Sequence, residues 1–480
     1  MGKKKIYTAI LISGFLFYTG CKVAKPVEMP AVKEMPYSFS TTDTSNSMTV
    51  VSWKAFFSDP YLTALIDTAL HNNTDLLMML QNIDILQQQL RVQKNANLPK
   101  VDAVISGSFD KYGDYTMNGV GNFDTNLSPN INSKQKIPEP ITPDLFAGFR
   151  SSWEIDVWGK LKNQKKAAMA ELLASEQGRR SVITSLVSAI AIDYYSLIAY
   201  DNELQIVQKN IQLQSDALEI VKVQKEAGRA TALAVEQFAA QLYNTEGIQY
   251  SIKQQISETE SQLNVLLGRY PQPIARDSDI LHQPLPPALL TGISSQLLIH
   301  RPDVEQAELA LTAAKANVKA ARAAFLPSIT LSPYIGINAF TPSLLFDAGS
   351  IVYGVLAGLS APIFNQKQIQ AGYTITNAQN KQAIYNYQHL LLNSFSEVAT
   401  NITSIQNDQA SYELKDKEVT ALTNAVGTSK DLYLSGYATY LEVILAQKGM
   451  LASELELVGN KREQFIAVIN LYRSLGGGWN

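Results

Sequence analysis

Apolar positions in this chain follow two different spacings. From Trp53 to Asn95, with a break at Asn72-Asn73-Thr74, they recur at helical intervals. After Leu98-Pro99 they alternate, with Val101, Ala103, Ile105 and Phe109 on one face and Asp102, Ser106, Ser108 and Asp110 on the other. The same change recurs at Phe325-Leu326-Pro327, where an Ala-rich helical stretch gives way to Ile329, Leu331, Ile335 and Ile337 against Thr330, Ser332 and Asn338. Proline cannot continue a helix and biases its predecessor toward extended backbone, so Pro99 and Pro327 mark helix-to-strand junctions. Two further alternating runs complete the set. Trp153, Ile155 and Val157 oppose Arg150, Ser152, Glu154 and Asp156, while Tyr353, Val355, Ala357 and Leu359 form the last apolar face. Strands are therefore predicted at about 101–112, 147–158, 328–339 and 352–363.

Between them the pattern is helical. Residues 159–226 contain no proline and, after Gly159 at their start, one glycine, Gly178, and 364–435 are likewise free of proline. A continuous helix of the first length is on the order of 100 Å long, which points to a rod or coiled-coil bundle. Turns at Ala227-Gly228-Arg229-Ala230-Thr231 and Ser435-Gly436-Tyr437-Ala438-Thr439 lead into return helices at 231–267 and 439–475, ending at Leu267-Gly268 and Leu475-Gly476. A further helix is expected over 302–325. The plan occurs twice, once in residues 53–270 and once in 292–480, with a Pro-rich connector at 271–291, and so predicts a duplicated unit.

The strands have the length and two-faced alternation of transmembrane barrel strands. A two-faced sheet in a water-soluble domain is the plainer alternative, and the aromatic placement argues against it. Trp158, Phe325 and Phe364 fall at one strand end, and Phe109, Tyr112, Phe340, Phe346 and Tyr353 at the other, as two interfacial girdles would. Pro333 removes one ladder bond and speaks mildly against the assignment. Four strands cannot close a barrel, and an open edge is not viable in lipid, so copies of the chain must pool strands. Two, three or four copies all satisfy this. The connection 113–146 is too long for a compact domain but usual outside a barrel.

Composition adds limits. A formal net charge of -3, with 17% charged residues, gives no electrostatic case for nucleic acid. No apolar run reaches the roughly 18–20 residues of a spanning helix. The N-terminus, MGKKKIYTAILISGFLFYTGC, has a basic cluster, a short apolar stretch and small residues before Cys21, the single cysteine of the chain. It resembles a lipoprotein export signal. Residues 1–20 would be removed, Cys21 lipidated, and the Pro- and Ser/Thr-rich segment 21–52 would act as a tether. Tyr18 departs from the usual Leu of that pattern, and an ordinary signal peptide with an incidental cysteine is the alternative. One cysteine permits no intrachain disulfide and no thiolate cluster.

Catalytic chemistry finds no support. His71, His282, His300 and His389 lack metal-ligand spacing, and no nucleotide-binding or nucleophile-elbow run occurs. Arg301 and Asp303 flank Pro302 in the manner of a helix start, with Asp303 favourable at the dipole. No enzyme activity, metal or soluble cofactor is expected.

The run His300-Arg301-Pro302-Asp303-Val304-Glu305-Gln306-Ala307-Glu308, with AARAAFLPSITL and LYRSLGGGW, resembles the TolC-like outer-membrane efflux proteins, specifically their lipoprotein (NodT-type) branch. The resemblance spans about residues 50–479 and implies a mixed α and β fold. It implies a homotrimer whose four strands per chain complete a 12-stranded barrel in outer-membrane lipid, continued by a helical tunnel across the periplasm. Functionally it implies the exit duct of a tripartite efflux system for small toxic compounds, with a periplasmic adaptor and an inner-membrane RND-type or ABC-type transporter as partners. A type I secretion channel and a periplasmic coiled-coil scaffold remain the alternatives.

In that family the tip turns close the tunnel and receive the adaptor. Gly228, Arg229, Thr231, Gly436, Tyr437, Thr439 and Glu442 occupy those positions here. The first-half counterpart of Glu442 is Ala234, with Glu236 two residues on, so a double acidic ring is not expected. Thr439 and Glu442 also have capping-box spacing, which leaves a gate and a helix cap as rival roles.

Overall fold

The computed structural model describes residues 26–31, 36, 52–277, 279–286, 295–362 and 366–479. Cys21, the export signal, most of the tether and Phe364 lie outside the described residues. Helices α1 (Trp53–Phe56), α2 (Pro60–Asn72) and α3 (Thr74–Asn95) precede β1 (Lys100–Asp110). Then come α4 (Met117–Leu127), β2 (Thr142–Ile155), the long α5 (Lys160–Glu226) and its return α6 (Ala232–Leu266). The second half comprises α7 (Pro302–Ala323), β3 (Ser328–Ala339), β4 (Ile351–Ser360), the long α8 (Gln366–Leu434) and its return α9 (Tyr440–Ser474).

The chain divides into two units. One, formed by residues 1–30, 85–172 and 310–383, holds the sheet. Its strands run antiparallel in the order β1-β2-β3-β4. The register aligns every odd-numbered strand residue on one face. Ala103 faces Phe149, Phe149 faces Ile335, and Ile335 faces Tyr353. Trp153, Leu331 and Ala357 form a second apolar row, and Ile155, Ile329 and Leu359 a third. The opposite face carries Asp102, Arg150 and Tyr334 in one row and Ser106, Phe146 and Asn338 in another. The apolar face lacks cover: Ile105 is 90% exposed, and Val101, Phe109, Phe149, Ile335, Tyr353, Val355 and Leu359 are exposed with it. β1 and β4 are the two edges.

Both helix-to-strand junctions are tied by an indole. Trp153 Nε1 donates to the Asn97 carbonyl at 2.9 Å, beside Pro99, and Trp158 Nε1 donates to the Pro327 carbonyl at 2.7 Å. Close helix approach in this unit comes from small residues, Ala167 and Ala170 of α5 meeting Ala313 and Ala316 of α7.

The sheet differs from expectation in detail. β2 starts at Thr142, five residues before the expected 147, and ends at Ile155 rather than 158. Pro143 is tolerated because it pairs only with Phe109 of β1, and pairing to β3 begins at Leu145. At the other end the Asp156 carboxylate accepts from Leu161 N and Lys162 N and starts α5 instead. Phe325 is no girdle residue. It is buried, and its ring meets Tyr373 edge-on at 5.9 Å. Pro333 interrupts the β2–β3 ladder, which pairs Arg150 with Tyr334 and resumes at Trp153 and Leu331. The long connection after β1 contains α4 and a 3₁₀ turn at Ser133–Gln135.

The other unit, residues 31–84, 173–309 and 384–480, holds the main helical core. Phe56 stacks on Tyr472 at 4.0 Å, Tyr195 on Phe465 at 4.2 Å, and the fully buried Tyr194 donates to Asp59, the N-cap of α2, at 2.6 Å. Helix α5 contains a stretch long and apolar enough by composition to span a membrane, contrary to expectation, and most of that stretch is buried. Asn73 ends α2 and starts α3, accepting from Leu76 N and donating to the Leu266 carbonyl. The described part of the Pro-rich connector is packed rather than slack. Ile274 and Ile280 are buried in the core, and Arg276 pairs with Asp201 at 2.6 Å and Glu260 at 2.5 Å.

Candidate functional site

The two turns predicted to form a tip are built alike, bond for bond. Gly228 has φ 72° and Gly436 φ 80°, the left-handed conformation that glycine adopts without steric cost. Arg229 N donates to Gln224 O at 2.8 Å and Gly228 N to Lys225 O at 3.0 Å. Tyr437 N donates to Leu432 O at 2.9 Å and Gly436 N to Tyr433 O at 3.1 Å. Each is a Schellman ending, which satisfies the last carbonyls of a long helix and reverses the chain. Gly268 and Gly476 end the return helices in the same way.

The returning helices start differently. Thr231 Oγ1 accepts from Ala234 N at 3.2 Å. At the second turn the Glu442 carboxylate accepts from both Thr439 N and, at 2.8 Å, Thr439 Oγ1. Ala234 is fully buried, whereas Glu442 is exposed. At the apices Arg229 and Tyr437 stand in equivalent places, and Tyr437 is 86% exposed.

The structure brings the two turns together. Tyr433 Oη donates to Gln224 Oε1 at 2.5 Å, and Leu218, Val221, Ala234, Phe238, Leu242 and Val443 form one buried cluster beneath them. Burial raises the Tyr433 pKa. A cavity of about 110 Å³ beside this cluster is lined by residues of both hairpins, among them Phe238, Tyr433 and Gln447. Sequence reasoning named neither Gln224 nor Tyr433. Their position one turn before the paired glycines was the available signal, but nothing in the residue types marks them as partners.

Arg301, Pro302 and Asp303 form a separate node. Pro302 opens α7, and the buried Arg301 guanidinium holds Asp303 through two bonds of 3.0 and 2.8 Å. Its remaining nitrogen donates to Glu397 of α8 at 3.0 Å and to the Ser474 carbonyl of α9 at 2.7 Å. Arg473 binds the other Glu397 oxygen at 2.5 Å. Burial opposes the Arg301 charge, and Asp303 with Glu397 outweighs it, raising its pKa. Arg301 thus clamps three helices together. Glu397 and Ser474 were not legible, since each comes from a distant helix with no local motif.

Long antiparallel helical hairpins joined to a small sheet with one bare apolar face define the class of outer-membrane conduits. The chain belongs to the outer membrane efflux protein family, whose profile matches residues 65–269 and 293–477. The cation efflux system protein CusC of Escherichia coli O157:H7 is 31% identical over 474 residues, 97% of each chain. The "Probable outer membrane lipoprotein SilC" of Salmonella typhimurium is 29% identical over 475 residues, 98% of each chain. A crystal structure of CusC superposes with a TM-score of 0.81 at 28% identity, covering 95% of this chain and 100% of that one.

Proposed function

We propose that this chain is the exit duct of a tripartite efflux pump, a homotrimer whose sheets close one barrel in the outer membrane. The observation that carries this reading is the register: four strands place most of their large apolar residues on one face and leave β1 and β4 as free edges. An unpaired edge in lipid leaves backbone groups unsatisfied, and ring closure by further copies removes both edges. Three copies of four strands make a ring of twelve. The two halves, with their matched turns, are a duplicated unit, and the hairpin turns form the periplasmic tip that meets an adaptor. An inner-membrane transporter of RND or ABC type supplies the energy, and the cargo is small toxic compounds, cations among them.

Cys21 is the lipid anchor on this reading. Met29 is held against α8, where Asn380 Nδ2 lies 3.2 Å from its sulfur. The segment from Cys21 to Met29 reaches at most about 28 Å. From Asn380 back to the start of α8 is about 21 Å. The leash therefore suffices to return the lipid to the level where β4 meets α8.

Native mass spectrometry in mild detergent tests the assignment. The expected species is a trimer of chains that begin at an acylated Cys21. A monomer or dimer overturns the closure, and a free Cys21 thiol or an uncleaved start overturns the anchor.

A further inference from the structure

Helix α4 is mounted with its polar side inward. Asn122 Nδ2 donates to Thr142 Oγ1 at 3.1 Å, and Asn126 donates to the Ile137 carbonyl at 3.0 Å while accepting from Ile137 N at 2.8 Å. Gly119 sits so close to the Gly113 carbonyl that a Cβ there would lie 2.2 Å from its oxygen. These contacts pin the polar side of the helix to its own connection. Met117, Val120, Phe123 and Leu127 form an apolar stripe by helical spacing and are all exposed, Val120 and Phe123 bordering a hollow of about 670 Å³ shared with Tyr112 and Pro140, and no α4 residue is buried.

Such a helix is poorly supported by its own chain. It has 11 residues and includes Gly119 and Gly121. Both glycines weaken a helix relative to alanine, and helices of this length draw their stability from packing an apolar face. The stripe therefore calls for cover from outside the chain.

We propose that a second copy of this chain covers it, through the β3–β4 connection at Phe346. This rests on the oligomer reading above. α4 follows β1, one free edge of the sheet, and Phe346, 88% exposed, precedes β4, the other free edge. Asp110 pairs with Thr142, Leu145 with Ala339 and Ile337 with Ile351, so the end of β1 and the start of β4 lie at the same end of the sheet. When β4 of one copy runs beside β1 of the next, Phe346, Ile351 and Tyr353 come alongside the α4 stripe. The contact is head-to-tail, as ring closure requires. A lipid surface fits less well, because interfacial helices are rich in Lys and Arg and α4 contains neither, carrying Asp124 instead.

The test uses two differently tagged full-length chains, Phe123→Cys and Phe346→Cys, co-expressed and treated in membranes with a short bismaleimide. The expected product is a cross-linked dimer carrying both tags, absent when either cysteine is omitted. Val120→Asp with Phe123→Asp should lower the dissociation temperature of the native oligomer by several degrees. Intact trimers without the cross-link overturn the placement of α4 while leaving the oligomer reading standing. A monomeric unmodified chain overturns both. Cross-linking only within a Phe123→Cys/Phe346→Cys chain overturns the proposal, as does quenching of a Phe123→Trp variant by brominated lipid.

Discussion

The guanidinium of Arg150 lies 4.5 Å from the centre of the Phe146 ring, on the more polar face of the sheet. The ring lies over two backbone hollows: a Cβ added at Gly148 or at Gly336 would come within 3.0 or 2.9 Å of its tip. Phe146 is buried although its strand neighbours are not, and the stacked arginine covers it. An aromatic ring over strand glycines compensates for their missing side chains.

Phe146→Ala should therefore destabilise the sheet by about 3 kcal/mol, the lower end for a buried phenylalanine. Gly336→Ala is the harsher change. Its Cβ would sit 2.6 Å from the Ala147 carbonyl oxygen and 2.9 Å from the Gly148 Cα, backbone atoms that cannot step aside. On the proposed trimer reading, the fraction of SDS-resistant, heat-modifiable species in outer-membrane extracts measures both, and Gly336→Ala should abolish it where Phe146→Ala reduces it.

These contacts show which parts of the molecule can be read from the chain. The strands were legible because alternation is written along each one, and the register keeps the odd residues together. The paired turns were legible because only glycine takes their backbone conformation at no cost. Phe146 was not, since it breaks the alternation for a reason that lies on β3, at Gly336. The early start of β2 was hidden by Pro143, which is harmless only because β3 is not paired there. The connector read as a linker from its prolines, while Ile274, Ile280 and Arg276 bind it to the core through residues far away in sequence. The roles of Glu397, Gln224 and Tyr433 exist only in three dimensions.

The Arg301 node makes a second prediction. Arg301→Ala leaves Asp303 without its partner and Glu397 with Arg473 alone, and losing charge-assisted bonds to these partly buried carboxylates should cost about 2–3 kcal/mol. Arg301→Lys should fare only partly better, because an ammonium cannot reproduce the two parallel bonds to Asp303 together with the contacts to Glu397 and Ser474. Chemical denaturation of the purified protein, followed by circular dichroism, should rank wild type above Lys and Lys above Ala. Equal stability of all three would contradict a clamping role.

Asp193 supplies a pH dependence. Burial in the α5 core pushes its carboxyl up to about 6 from an ordinary value of 3.8. The folded protein therefore holds a proton through a range where the unfolded chain has released it. Stability from this group is greatest below the unfolded value and falls as pH rises through the folded one. Asp193→Asn is neutral throughout and removes the dependence. The melting temperature of the variant relative to wild type should rise between pH 4.5 and 7. A constant difference across that range would contradict the assignment.

The last prediction concerns Glu442. Its carboxylate receives the Thr439 amide and hydroxyl, so the cap is present, and the side chain is also exposed beside the second turn. A cap and a lumenal charge are separable because glutamine accepts the same two bonds without charge. Glu442→Gln should leave the melting temperature within about 0.5 kcal/mol equivalent of wild type, as expected for a conserved cap geometry. Thr439→Ala removes the hydroxyl side of the reciprocal cap and should cost about 1 kcal/mol. If three Glu442 carboxylates also face the bore, Glu442→Gln should lower cation selectivity in planar bilayers and shift single-channel conductance, more strongly at low salt, where screening is weak. Ala234, at the equivalent place in the first hairpin, is fully buried and contributes no charge, and the nearest first-hairpin acid is the exposed Glu236 two residues on. Unchanged selectivity and conductance in the Gln variant, with a destabilised Thr439→Ala, would make Glu442 a cap and leave the gate to Arg229 and Tyr437 at the two apices.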